Sequence, residues 1–236
     1  MSKVVTLRIN DQDYSGRDDQ SVLDLAREYD IPIPTLCHID GLKDIGACRL
    51  CLIEVKGVNK LLPACTTLVT EGMEAYTSTP RLILYRRMII EMLLCEGNHI
   101  CSVCVSNGHC ELQWLAQSLG VDHLRLPNRF PKRIVDASHE RFLLDQNRCV
   151  LCTRCVRVCD EVEGAHTWDV QGRGIDSRVI TDLATRWGDS LSCTSCGKCV
   201  HVCPTGALVE KGKSAGEMTK HGEFLPFLKA MRERRS

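Results

Sequence analysis

Cysteine is the residue type through which this chain of 236 residues could do chemistry, because it occurs sixteen times and mostly at regular spacing. One spacing occurs twice, in residues 149–159 and 193–203, with two, two and three residues between successive cysteines. Three closely spaced thiolates can surround one face of an iron–sulfur cube, and in this pattern the fourth cysteine of each run binds the other cluster. The repeat predicts two 4Fe–4S clusters with crossed ligand sets, Cys149, Cys152, Cys155 and Cys203, and Cys159, Cys193, Cys196 and Cys199.

Zinc is the alternative occupant of this repeat, because Cys-x2-Cys pairs also suit a tetrahedral ion. A zinc site uses two such pairs, however, and gives no reason for a third short step and a three-residue step that both recur. The first run departs from the usual pattern in one respect, since Asp160 rather than proline follows its last cysteine. This change loosens a turn but removes no ligand, so the cluster interpretation is kept.

An earlier block has the spacing of a different cluster. Cys37, Cys48, Cys51 and Cys65 are separated by ten, two and thirteen residues. The plant-type 2Fe–2S pattern has four and then two residues between its first three cysteines and a distant fourth, so this block is a variant with a longer first gap. Small residues just before Cys48 would let backbone amides approach the sulfurs. We expect a 2Fe–2S cluster here.

The middle block is ambiguous when taken alone. His99 precedes Cys101, Cys104 and Cys110, a set that suits either zinc or a histidine-ligated 4Fe–4S cluster. Cys95 is the one cysteine outside the three blocks and the other candidate for the fourth ligand. It ends an apolar helical run, where a free cysteine behaves as a small buried hydrophobe. His99 follows a flexible Gly-Asn exit, so we expect His99 rather than Cys95 to complete the site.

Several function classes find no support in the sequence. Lys+Arg and Asp+Glu are equal at 30 each, which favours neither nucleic acid nor a membrane surface as a partner. We expect no secretory signal and no membrane span, and hence a cytoplasmic, reducing location where clustered cysteines bind metal rather than form disulfides. Neither a dinucleotide-binding nor a phosphate-binding glycine loop is present. We therefore predict no catalytic residues and no NAD or FMN site in this chain, only electron carriage.

Apolar periodicity predicts both strands and helices, and hence an α+β protein. The expected elements are strands over 3–10 and 52–55 and helices over 22–29, 82–94 and 224–231. Ser21 has the position of an N-cap for the first helix. Aromatic residues make up only 5% of the chain, so we expect bound metal rather than a large aromatic core to supply stability.

Five segments follow from the cysteine blocks and the stretches between them. They are residues 1–79 for the 2Fe–2S domain, 80–120 for the His/Cys3 segment, 121–145 for a basic connecting segment, 146–212 for the two-cluster 4Fe–4S domain and 213–236 for a tail with a candidate docking helix. The clusters would add a formal charge of about −7. Cations adjacent to ligands are expected to offset it locally; they are Arg49, Arg148, Arg154, Arg157 and Lys198.

The order of these blocks resembles a known family, the small diaphorase (iron–sulfur) subunit of cytoplasmic NAD-reducing nickel–iron hydrogenases. That subunit is similar to the N-terminal part of the large iron–sulfur subunit of respiratory complex I. The resemblance covers most of the chain and is carried by short motifs: Pro-Thr-Leu-Cys at 34–37, Ala-Cys-Arg-Leu-Cys at 47–51, Glu-Gly-Asn-His at 96–99, Cys-Glu-Leu-Gln at 110–113 and Cys-Thr-Arg-Cys-Val-Arg-Val-Cys at 152–159. Complex I relatives carry their ligand histidine where this chain has Gly97, whereas the hydrogenase relatives read Gly-Asn-His.

The resemblance implies a β-grasp N-terminal domain, a two-cluster ferredoxin domain, and one 2Fe–2S and three 4Fe–4S clusters, one of them histidine-ligated. It implies a partner subunit with FMN and the NAD(H) site, and nickel–iron hydrogenase small and large subunits. This chain would pass single electrons between them. A complex I subunit would continue into a further large region, so we expect the hydrogenase relay. The alternatives are the equivalent relay of an NAD-dependent formate dehydrogenase or complex I-like module, and a non-redox zinc scaffold.

Overall fold

The structure, a computed structural model, describes residues 2–129 and 131–233 and separates into two compact units. The first comprises Met1–His38 and Asp44–Ile89, and the second comprises Ile39–Lys43 and Ile90–Ser236. The five segments expected from the sequence are finer than this division, and their bounds stay a prediction. Within the described residues, no helix is both long and apolar enough to cross a membrane.

The first unit is a five-stranded mixed sheet with a helix, α1 (Val22–Glu28), packed on it. Its strands are β1 (Val4–Ile9), β2 (Gln12–Arg17), β3 (Leu52–Val55), β4 (Leu62–Pro63) and β5 (Glu74–Tyr76), in the sheet order β2-β1-β5-β3-β4. Only β1 and β5 pair in parallel. Alternate residues of β1 are buried, and they form one core with the apolar side chains of α1. This arrangement confirms the α+β class and the β-grasp prediction.

Ser21 begins α1, as predicted. Its hydroxyl accepts a hydrogen bond from the Asp24 amide, and the Asp24 carboxylate accepts one from the Ser21 amide, both at 3.1 Å. This reciprocal pair satisfies two of the backbone donors that the start of a helix leaves free. The second helix, α2 (Pro80–Glu96), is one turn longer than the predicted 82–94 and ends at Gly97 as expected.

The second unit contains two small sheets and the remaining helices. Strands β6 (Val135–Asp136), β7 (Phe142–Asp145) and β10 (Leu208–Glu210) form an antiparallel sheet of order β10-β7-β6, and β8 (Trp168–Gln171) pairs with β9 (Arg178–Thr181). The helices are α3 (Glu111–Ser118), α4 (Arg154–Arg157), α5 (Lys198–Val202) and α6 (Phe224–Glu233). Each of α4 and α5 carries the third cysteine of one repeated run.

The segment expected to be a connection, 121–145, ends in two strands. β7 is the central strand of the three-stranded sheet, and its residues Phe142 and Leu144 are 2% and 5% exposed. A four-residue strand next to a basic, proline-containing stretch is too short to give a periodic signal, which is why the sequence did not reveal it. Arg125 of the basic cluster is paired with Glu91 at 2.9 Å rather than facing a cysteine site.

An aromatic group forms much of the second unit's core, contrary to the expectation from composition. Trp187 stacks on Phe142 with ring centroids 5.5 Å apart and meets Trp168 edge-on at 4.9 Å. All three side chains are less than 5% exposed. A few aromatic residues placed together therefore build a core that their low overall frequency conceals.

The C-terminal helix α6 packs on its own unit. Leu225 is fully buried in the core of the second unit, while Phe227 is 67% exposed. The helix covers the predicted residues 224–231 and continues to Glu233.

Candidate metal centres

The four thiols of the first block form two pairs within the first unit. The side chains of Cys37 and Cys48 hydrogen-bond each other, and the Cys48 amide donates to Cys37 Sγ at 3.5 Å. The Sγ atoms of Cys51 and Cys65 are 3.5 Å apart, and Cys37 acts electrostatically on both of them. A 2Fe–2S cluster has four thiolate ligands shared between two irons, so two sulfur pairs suit it. The structure thus brings together all four residues predicted for this site.

Local backbone conformation positions these sulfurs. Gly46 and Arg49 both adopt left-handed conformations, with φ of 60° and 59°, which turns the loop around Cys48. A hydrogen bond from Cys65 lowers the pKa of the Cys51 thiol to about 7, while the same bond raises the pKa of Cys65. The protein alone therefore favours one thiolate in this pair, and bound iron would have to displace the second proton.

Arg86 supports this loop, although the sequence analysis gave it no role. It is 4% exposed on α2 and donates to the carbonyl oxygens of Leu50 and Leu52, each at 2.9 Å. Burial lowers its pKa, and the nearby Cys51 thiol opposes that shift. Its position in a largely apolar stretch of helix was the sequence feature that could have indicated a buried, structural arginine. Arg86 ties the chain on both sides of Cys51 to α2.

We expect Arg86→Met to destabilise the first unit by about 2–4 kcal/mol, because two buried carbonyls lose their donor. Urea unfolding of the full chain, followed with the absorbance of the iron–sulfur chromophore, measures the change. Arg81→Met is the matched control on the same helix; its ion pair with Glu54 is 3.6 Å long and 53% exposed at the arginine, so about 1 kcal/mol or less is expected. Equal effects of the two substitutions would contradict the supporting role of Arg86.

The middle block surrounds one small cavity in the second unit. His99, Cys101, Cys104 and Cys110 all line it. Cys95 does not; its buried thiol donates to the carbonyl oxygen of Leu126 at 3.3 Å. Of the two candidates for the fourth ligand, the structure brings His99 to the three cysteines and leaves Cys95 elsewhere.

The His99 ring has the state that a metal ligand needs. Burial lowers its pKa, so the imidazole is held neutral. Its Nε2 atom is buried without a hydrogen-bond partner in the described residues, and the ring hydrogen-bonds the backbone of Leu93. The Leu93 bond therefore involves Nδ1, which fixes the tautomer and leaves a lone pair on Nε2. An unpartnered buried nitrogen on a residue that lines the cavity of the three thiols fits a missing metal bond.

Gly97 makes room for this ring. A Cβ atom at residue 97 would collide with His99 Nε2 and would lie 2.7 Å from the carbonyl oxygen of Asn147. Any side chain at this position therefore excludes the observed place of the imidazole. Gly97, which stands where complex I relatives have their histidine, is therefore required on steric grounds if His99 is to occupy its observed place.

We expect Gly97→Ala to displace the His99 imidazole and to reduce the iron content of the purified chain by up to one cluster. Iron analysis and EPR of the reduced protein measure the loss. Gly108→Ala serves as the control in the same segment, because a Cβ there meets open space and adds only the strain of a φ of +80°. Full iron retention in Gly97→Ala would show that the ring does not need this space.

The repeated runs surround two further cavities in the second unit. One is lined by Cys149, Cys152, Cys155 and Cys203, and the other by Cys159, Cys193, Cys196 and Cys199. The fourth cysteine of each run thus lies at the cavity of the other run. The backbone repeats as well: Leu151 and Thr153 in the first run and Ser195 and Gly197 in the second all have positive φ.

Burial favours the thiol form of four of these cysteines in the absence of iron. It raises the pKa of Cys149 to about 11 and that of Cys152 to about 12, and it raises the pKa values of Cys155 and Cys199 as well. Four thiolates around one cavity would repel one another, and only cations at the centre compensate them. The donor set and its surroundings fit a multi-iron cluster. Trp187 Nε1 also donates to Cys193 Sγ at 3.3 Å.

At least three of the five cations expected to offset cluster charge are paired with carboxylates. Arg154 binds both oxygens of Glu111, Arg148 lies 3.1 Å from Asp145, and Lys198 pairs with Glu163. Arg157 donates to the carbonyl oxygens of Lys43 and Cys152, and the Arg49 side chain is exposed. Counting the cations that are adjacent to ligands in sequence therefore overestimates the positive charge that acts on the cavities.

Three known protein families match successive parts of the chain. Residues 2–80 match the 2Fe-2S iron-sulfur cluster binding domain, and residues 86–125 match the NADH-ubiquinone oxidoreductase-G iron-sulfur binding region. Residues 141–209 match the ferredoxin-like domain of NADH-quinone oxidoreductase subunit 3. The chain therefore binds iron–sulfur clusters of the 2Fe–2S and 4Fe–4S types, and the zinc scaffold is set aside.

Similar proteins of known function include subunits of hydrogenases and of an NADH-quinone oxidoreductase. The gamma subunit of the NAD-reducing hydrogenase HoxS of Cupriavidus necator is 31% identical over 208 residues, which cover 88% of this chain and 87% of that protein. An NADH-quinone oxidoreductase chain of Rhizobium meliloti is 36% identical over 210 residues, but this chain spans only 24% of its length. The NADP-reducing hydrogenase subunit HndD of Solidesulfovibrio fructosivorans is 34% identical, with 36% of its length covered.

A solved structure supports the similarity to the hydrogenase HoxS subunit. A chain in the crystal structure of an NAD+-reducing [NiFe]-hydrogenase in the H2-reduced state superposes with a TM-score of 0.84 at 33% identity. The match covers 89% of this chain and 88% of the hydrogenase chain.

Proposed function

We propose, from the premise that this chain belongs to the family of the iron–sulfur subunit of NAD-reducing hydrogenases, that it relays electrons inside such an enzyme. One end of the relay would be a nickel–iron module with a small and a large subunit. The other would be a partner subunit that holds FMN and the NAD(H) site. The supporting observation is a match at 31–33% identity that extends over almost the whole of both chains.

The proposed ligands follow the cavities described above. Cys37, Cys48, Cys51 and Cys65 would hold the 2Fe–2S cluster, and His99, Cys101, Cys104 and Cys110 would hold the middle 4Fe–4S cluster. The crossed sets of the two runs would hold the other two. When bound, such clusters accept and give up single electrons. The proposed cysteine ligands are buried or half-buried except for the exposed Cys196, and His99 would be the one neutral ligand.

We further propose that residues 1–79, 80–120 and 146–212 are the three cluster-binding segments, with 121–145 and 213–236 between and after them. All sixteen cysteines are free of disulfides, and so many unpaired thiols need a reducing compartment. A cytoplasmic location is therefore part of the proposal.

A second candidate is the equivalent relay of a complex I-like NADH dehydrogenase module or of an NAD-dependent formate dehydrogenase. The 36% identity with the NADH-quinone oxidoreductase chain supports it, although this chain spans 24% of that relative. The metal of the partner distinguishes the candidates, because a formate dehydrogenase carries molybdenum or tungsten and a hydrogenase carries nickel.

The deciding experiment is anaerobic affinity purification of the chain with its natural partners, followed by analysis of metals, acid-labile sulfide and flavin. We expect iron, sulfide, nickel and FMN together. Molybdenum or tungsten instead of nickel would favour the formate enzyme, and the absence of all three metals with FMN present would favour the complex I-like module. Zinc without acid-labile sulfide would refute electron relay altogether.

A further inference from the structure

The polar segment 213–223, the first part of the predicted tail, runs back through the second unit. The Gly216 amide donates to the Cys104 carbonyl at 3.0 Å, and the Met218 amide donates to the Val105 carbonyl at 2.9 Å. Met218 itself is 2% exposed and belongs to the unit's core. This segment is therefore held against the loop that follows Cys104, one of the residues at the middle cavity.

Lys220 ends this anchored stretch with its ammonium group directed inward. Nζ donates to the carbonyl oxygen of Val200, in α5, at 2.9 Å and to that of Leu208, in β10, at 2.6 Å. Both contacts are to neutral main-chain groups, and the described residues include no carboxylate in ion-pair contact with this lysine. Burial lowers its pKa, and four cysteine thiols oppose that shift.

Those four cysteines belong to three different cavities. Cys203 has the largest influence; Cys110, Cys199 and Cys104 follow. Cys104 and Cys110 line the middle cavity, whereas Cys203 and Cys199 each line one of the crossed cavities. The Val200 carbonyl that binds Lys220 Nζ follows Cys199 in the chain and also accepts a hydrogen bond from the Cys203 amide at 3.4 Å, so direct contacts place Lys220 beside both crossed sites. The influence of Cys104 and Cys110 on its pKa extends this reach to the middle site, although Lys220 is outside every cysteine motif.

The way Lys220 is held distinguishes it from three of the cations inside the motifs. Arg148, Arg154 and Lys198 each contact a carboxylate, so most of their charge is cancelled at close range. Carbonyl oxygens orient an ammonium group without neutralising it. In a partly buried setting, the uncancelled charge acts over a longer distance than it would in water.

We propose that Lys220 is a fixed positive charge that raises the reduction potential of the 4Fe–4S clusters in the second unit. This inference rests on the proposed function, because it needs the clusters to be present. Reduction adds one negative charge to a cluster, and a nearby cation stabilises the reduced form more than the oxidised form. The effect should be greatest at the two crossed sites, which the shared contact with the Val200 carbonyl connects to Lys220.

The test is an EPR-monitored redox titration of the full chain, purified anaerobically with its clusters. We expect Lys220→Met to change the ratio of reduced to oxidised cluster about tenfold at fixed potential for at least one 4Fe–4S cluster. That ratio corresponds to a shift of about 59 mV to lower potential for a one-electron couple. Lys220→Arg should restore the original value, because it keeps the charge.

Lys213→Met is the matched control, since it removes the same charge from the same segment at a side chain that is 40% exposed and 3.6 Å from Glu210. Its potentials should stay unchanged. If Lys220→Met loses iron, Lys220→Gln answers the same question, because its amide can still donate to a carbonyl. Unchanged potentials in a fully loaded neutral variant, or loss of iron in both neutral variants, would overturn the role of Lys220. Missing iron–sulfur signals in the unsubstituted chain would instead refute the proposed function.

Discussion

Replacing His99 with alanine is expected to remove one 4Fe–4S cluster, whereas replacing Cys95 with alanine leaves every cluster in place. His99 lines the cavity of Cys101, Cys104 and Cys110 with a buried, unpartnered Nε2, and Cys95 is hydrogen-bonded to Leu126 away from it. The His99→Ala chain should therefore lose about four iron atoms. Iron analysis and EPR of the reduced protein give the result.

Cys95→Ala is both the rival test and the matched control, because it truncates a buried side chain in the same part of the chain. We expect it to cost about 1 kcal/mol of stability through lost packing, with a full set of EPR signals. A loss of a 4Fe–4S signal in Cys95→Ala, together with its retention in His99→Ala, would reverse the ligand assignment. His99→Cys offers a further check, since a thiolate in place of neutral imidazole should lower the potential of the middle cluster.

The second large effect concerns the crossing of the two cysteine runs. Cys203→Ser and Cys149→Ser should remove the same 4Fe–4S cluster, although their residues are in different runs. Cys159→Ser and Cys193→Ser should remove the other one. Each variant should lose about four iron atoms and melt at a lower temperature, because metal binding contributes to the folding free energy.

Comparison of the EPR spectra within these pairs decides the arrangement. In an uncrossed arrangement, Cys203→Ser would give the spectrum of Cys193→Ser instead of that of Cys149→Ser. Ser195→Ala, which alters a residue of the second run that is not a ligand, is the control and should keep all clusters. A Cys203→Ser chain with full iron and unchanged melting would contradict the site altogether.

Features that are determined by adjacent residues could be predicted from the sequence. The capping residue Ser21, the strand Leu52–Val55 and the helix that ends at Gly97 each depend on a few adjacent residues. The cysteine spacings likewise reflect ligands that must converge within a short loop. The closing ligand of each crossed cavity was predictable only because the same spacing occurs twice.

Features that depend on contacts between residues distant in sequence could not be predicted. Phe142 and Trp187 are far apart in sequence but stack on each other in the core. No local pattern around either residue predicts this contact. Arg86 looks like a surface charge until its carbonyl partners at Leu50 and Leu52 are seen. Lys220 lies in a polar stretch, and only the return of that segment to Cys104 and Val105 gives it a role.

The crossed cavities also constrain how this protein can mature. The cavity of Cys149, Cys152 and Cys155 lacks its fourth cysteine until Cys203 has been synthesised. The other cavity combines Cys159 with three cysteines of the second run, so it also needs that run. A ribosome must therefore extend the chain past both runs before either site is complete. With these crossed ligand sets, delivery of iron–sulfur units to this half of the molecule would be a late event in biogenesis. A nascent chain stalled inside residues 160–192 would then expose several unprotected thiols to oxidation.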